Sequence, residues 1–135
     1  MPLFIWNDSF SVGVMDIDAQ HKRLVELVNE LHDAMSQGKG RDTVGKTLDG
    51  LIDYTRTHFA FEEKLMAVHT YPAAAQHKIE HATLTRQVVE LQGQFLTGQA
   101  AVTLTVMKFL KDWLTNHILS VDKKFGAYLN SEGVK

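Results

Sequence analysis

Two pairs of residues spaced four apart, His58 with Glu62 and His77 with His81, put imidazole and carboxylate groups on single faces of stretches that read as helices. His21 and His117 stand on two further amphipathic stretches, and Asp122 follows His117 by five residues. Imidazole nitrogens and carboxylate oxygens in this number are donors suited to transition-metal ions. The chain has 7 His and 0 Cys, which excludes disulfides, thiolate zinc fingers, iron–sulfur clusters and cysteine nucleophiles.

The elements that must position these groups are legible from periodicity. The 135 residues read as one domain, 1–135, with an extended N-terminal arm over 1–17 and helices at about 18–36, 41–68, 73–95 and 101–129. Apolar residues recur at helical spacing: Leu24, Val28 and Leu31 in the first stretch, Val44, Leu48 and Leu51 in the second, Leu84, Val88 and Leu91 in the third, Val106, Leu110 and Leu114 in the fourth. Asp18 suits an N-cap for the first helix, Gly38 and Gly40 end it, and Tyr71-Pro72 separates the second from the third. The arm carries Trp6, Phe10, Val12, Val14 and Ile17, which are expected to pack on the bundle surface. Short connections favour antiparallel neighbours, so the expected fold is all-α, an up-down-up-down antiparallel four-helix bundle.

In that topology the starts of the first and third helices and the ends of the second and fourth share one end of the bundle. His21, His58, Glu62, His77, His81, His117 and Asp122 then converge at one depth. His32 lies about 16 Å further along the axis and His69 about 10 Å beyond Glu62, so both are bystanders. Asp122 is the awkward member. On an ideal helix it points about 140° away from His117, and reaching a shared ion requires it to stretch across or the helix to distort.

Five imidazoles and two carboxylates exceed what one ion can use. Two six-coordinate ions bridged by both carboxylates and a single-atom oxo or hydroxo group would use every donor and leave one position open. Iron suits these ligands best, with manganese and zinc as alternatives. No Glu is followed three residues later by His, so the carboxylate-rich di-iron oxidase pattern is absent.

The motifs resemble those of the hemerythrin family, in particular single-domain bacterial hemerythrins. They are His21 within Asp18-Ala19-Gln20-His21, His58-Phe59-Ala60-Phe61-Glu62, His77-Lys78-Ile79-Glu80-His81, and Trp113 through His117 to Asp122, in order over nearly the whole chain. The resemblance implies a non-haem di-iron site that binds O2 reversibly. By position, His77, His81 and His117 would hold one iron, His21 and His58 the other, and Glu62, Asp122 and an oxo or hydroxo group would bridge. Phe59, Trp113, Leu114 and Ile118 adjoin these ligands in sequence and are candidates for an apolar O2 pocket.

The expected role is therefore an oxygen carrier or store, with small anions such as azide as competitors for the open position. One alternative is an O2 or redox sensing module excised from a signalling protein. Another is a di-iron enzyme acting on peroxide or nitric oxide, but no Ser, Lys or Tyr is placed by motif as a nucleophile or relay, and binding is favoured over turnover. With 14 Lys and Arg against 16 Asp and Glu, interspersed, no nucleic-acid or membrane partner is indicated. The expected location is cytoplasmic and the expected assembly a monomer.

Overall fold

The computed structural model describes residues 3–38, 40–98 and 104–135, and its elements are helical. Helix α1 spans Met15–Ser36, α2 Arg41–Val68, α3 Ala74–Leu96 and α4 Leu104–Asn116. A π-helical segment, His117–Asp122, continues α4 without a break into α5, Lys123–Ser131, so that the three form one rod. Residues 101–103, expected to start the fourth helix, lie outside the described residues.

Side-chain pairs show the antiparallel order. Near the start of α2, Asp49 accepts from Gln92 late in α3 at 2.6 Å, while Glu63 late in α2 meets His81 early in α3. Gln20 early in α1 likewise meets His58 late in α2. The bundle therefore runs up-down-up-down, with Ile17, Leu31, Leu48, Ile52, Met66, Met107, Ile118, Phe125 and Leu129 essentially without solvent exposure at its centre.

Helix α1 starts at Met15, ahead of Asp18, so Asp18 is not its N-cap. Its carboxylate instead reaches back along the arm, accepting from the Val12 N–H at 2.8 Å and the Ser11 hydroxyl at 2.6 Å. Asn29 binds Phe4 twice, accepting from its N–H and donating to its carbonyl. These bonds fix an arm whose Phe4, Phe10, Val12 and Val14 are buried. Where the arm crosses α5, Gly126 is required: a Cβ there would lie 2.0 Å from the Val12 carbonyl oxygen.

Candidate metal centre

His21 sits in the second turn of α1, His58 and Glu62 in the last third of α2, His77 and His81 in the first turns of α3, and His117 and Asp122 bound the π segment. All are at most 4% exposed. Among the described residues, the remaining buried polar group is Thr55, whose hydroxyl donates to the Leu51 carbonyl within its own helix.

The five imidazoles turn Nε2 inward onto the two carboxylates. Asp122 divides its oxygens: Oδ2 lies 3.1 Å from His21, whereas Oδ1 lies 2.9 Å from His77 and 3.2 Å from His117. Glu62 Oε1 is 3.2 Å from His81 and 3.4 Å from His58. Two donor groups result, Glu62, His77, His81, His117 and Asp122 in one, His21, His58, Glu62 and Asp122 in the other, and the carboxylates belong to both.

Every inward Nε2 and all four carboxylate oxygens lack a hydrogen-bond partner despite their burial. Burying one such group without a partner costs on the order of 1–3 kcal/mol, so a cluster of them needs another source of stabilisation. Donor pairs near 3 Å apart also match neighbouring ligands around an ion with bonds of about 2.1 Å. The residues present thus fit a metal site.

Electrostatics agree. Burial, reinforced by the neighbouring imidazoles, lowers His58 to about 3 and His81 to about 2, which leaves both neutral with a free lone pair near pH 7. Burial and then the Asp122 charge raise Glu62 well above the usual carboxylate range. Burial pushes Asp122 upward too, but His117, His21 and His77 outweigh it and hold Asp122 well below that range.

Three groups that the motifs did not single out stand behind the rings, two of them within hydrogen-bond distance. Gln20 Oε1 lies 2.6 Å from His58 Nδ1, Glu63 Oε2 lies 3.1 Å from His81 Nδ1, and Glu80 Oε1 lies 3.9 Å from His117 Nδ1. Each directly neighbours a candidate ligand in sequence, and that was the available signal: about 100° further round the helix it faces a ligand on the adjoining helix.

Aromatic rings wall the site. Phe59 stacks on His81 with centroids 3.8 Å apart, and Trp113 stacks on His117 at 4.5 Å. Tyr71 stands edge-on to His77 at 6.4 Å. Phe59, Trp113 and Leu114 line an apolar cavity of about 30 Å³ with Leu24, Thr55 and Leu84, whereas Ile118 is buried but outside that lining. His32 and His69 are remote from the cluster. His32 stands beside Asp33 and Ser36, and His69 caps the end of α2, where its carbonyl accepts from the Tyr128 hydroxyl.

A helical bundle with seven converging imidazole and carboxylate groups defines a metal-binding protein. The chain matches the hemerythrin HHE cation binding domain over residues 12–129, and it belongs to the hemerythrin family. It is 41% identical over 132 residues to the bacteriohemerythrin of Methylococcus capsulatus, covering 97% of this chain and 100% of the relative. It is 37% identical to that of Stenotrophomonas maltophilia, covering 96% of this chain and 86% of the relative. The solved structure of wild-type hemerythrin aligns with a TM-score of 0.90 at 41% identity, covering 94% of this chain and 98% of that one. Among the described residues, no helix is long and apolar enough to cross a membrane.

Proposed function

We propose that this protein binds O2 reversibly at a non-haem di-iron centre and serves as an oxygen carrier or store. The observation that carries this reading is the pair of donor groups sharing Glu62 and Asp122, whose inward atoms have no other partner. In this reading His77, His81 and His117 would hold one iron and His21 and His58 the other, with Glu62, Asp122 and an oxo or hydroxo group shared between them. A bound iron pair would supply the redox chemistry, being able to give electrons to O2 and take them back.

The protein's own residues do the rest. The neutral imidazoles of His58 and His81 supply lone pairs without first losing a proton. The half with two imidazoles offers fewer donors than the half with three, which leaves room there for a small ligand. Phe59, Trp113 and Leu114 place apolar surface beside the site and keep bulk water from it. The same wall suits a small apolar ligand, and the family relatives named above support the reading.

The test is iron content and visible spectra of the purified protein through cycles of anaerobic reduction and re-exposure to O2. About two irons per chain and a charge-transfer band that returns on each cycle are expected. Zinc-only occupancy, or irreversible oxidation without an oxygenated spectrum, would overturn the reading. His77→Ala should lower iron content and melting temperature together, while His32→Ala leaves iron content unchanged.

A further inference from the structure

The groups behind the imidazoles are not equivalent, and the difference follows the division of the cluster into halves. On the three-imidazole side, the Nδ1–H of His81 donates to the Glu63 carboxylate at 3.1 Å, and the Glu80 carboxylate faces His117 Nδ1 at 3.9 Å. On the two-imidazole side, the Nδ1–H of His58 donates to the Gln20 amide oxygen at 2.6 Å. The Nδ1 atoms of His21, His77 and His117 have no hydrogen-bond partner. On each side one ring is hydrogen-bonded from behind, His81 by an anion and His58 by a neutral amide.

Both arrangements fix the tautomer. An acceptor on Nδ1 puts the ring proton there and leaves the Nε2 lone pair pointing inward. They differ in how much they strengthen that lone pair. A carboxylate pulls on the Nδ1 proton more strongly than an amide does and makes the opposite nitrogen a better donor. Glu63 is half-buried, at 34% exposure, which preserves much of this charge effect from screening by water.

We infer that Glu63 and Gln20 are positioning residues of unequal strength, which make the His77/His81/His117 half the tight metal position and the His21/His58 half the weak one. This rests on the two-metal reading above. The asymmetry strengthens donation at the position that has three rings already and spares it at the position with room for a ligand. The weaker half keeps a more electrophilic ion.

The two residues can be exchanged almost isosterically. Glu63→Gln keeps an acceptor of the same length behind His81 and removes only the charge, while Gln20→Glu adds charge behind His58. The experiment challenges the full-length iron-loaded protein with excess chelator and follows iron release in time. The wild type should lose its iron in two phases of equal amplitude. Glu63→Gln should accelerate the slow phase by about 10-fold and spare the fast one, the lower end of what partners of metal-bound histidines contribute. Gln20→Glu should retard the fast phase and leave the slow one unchanged. Melting temperatures of the iron-free variants, measured alongside, should match the wild type, since a packing role is conserved in both.

Two irons per chain released in a pattern that neither substitution alters would overturn this inference and leave the di-iron reading standing. So would a reversal, with Glu63→Gln acting on the fast phase. One iron or none in the wild type would overturn both.

Discussion

Nε2 of His117 lies 3.2 Å from Oδ1 of Asp122, although the two are five residues apart in one helical rod. In an α-helix such residues diverge by about 140°. The π-helical conformation of His117–Asp122 absorbs one extra residue in this turn and brings Asp122 back over His117. Of the two routes open at the level of sequence, a stretched side chain or a distorted helix, the chain takes the second.

This makes the extra residue dispensable for register. Deleting the exposed Ser120 would leave the carboxylate four residues after His117, the spacing at which an ordinary α-helix presents both on one face. Phe125 and Leu129 would keep their buried positions. The deletion variant is expected to retain metal, read by metal analysis, and to melt within a few degrees of the wild type. Inserting an alanine at the same place should abolish metal binding.

The arm is held by a contact that tolerates no side chain. Gly126→Ala would drive a methyl group into the Val12 carbonyl and force the arm off α5, uncovering Phe10 and Val12. A loss of about 2–4 kcal/mol in chemical denaturation is expected, in the range of disrupted core contacts. Gly50→Ala is the control: that helical position has open space, so the change should stabilise by about 0.5–1 kcal/mol.

Stability of the metal-free protein should fall with acidification, and more steeply as it proceeds. His58 and His81 titrate near 3 and 2 when folded, against about 6.5 when unfolded, so below that value the unfolded chain binds protons that the folded one refuses. Glu62 works in the opposite sense. Raised well above 4.5, it takes a proton in the folded state first, which offsets part of this loss above pH 4.5. The slope is expected to steepen below 4.5, where the Glu62 offset ends and the two imidazoles act unopposed. Below 3.8 protonation of Asp122 adds to the loss. Denaturation midpoints of metal-stripped protein from pH 7 to 3.5 would show a flat profile if the cluster were not buried as described.

Much of the site was legible because helical periodicity is a local property. Spacings of four in His58-to-Glu62 and His77-to-His81 predict shared faces, and short connections predict antiparallel neighbours, which together predict convergence at one end. The start of α1 was misread because Asp18 has the chemistry of a cap, and its preference for the arm's Val12 and Ser11 depends on where the folded arm passes. Ile118 neighbours His117 in sequence and is fully buried, yet it is not among the residues that line the cavity with Phe59, Trp113 and Leu114.

The sequence by itself determined the helical bundle, the depth at which the imidazoles and carboxylates meet, and the separation of His32 and His69 from them, because each follows from residue type, period and rise. Only the tertiary structure decided that the fourth rod takes a π turn at Asp122, that Gly126 admits the arm, and that Gln20 and Glu63 stand behind different rings. Those features depend on contacts between elements far apart in the chain, where distance, packing and charge act without any local pattern to announce them.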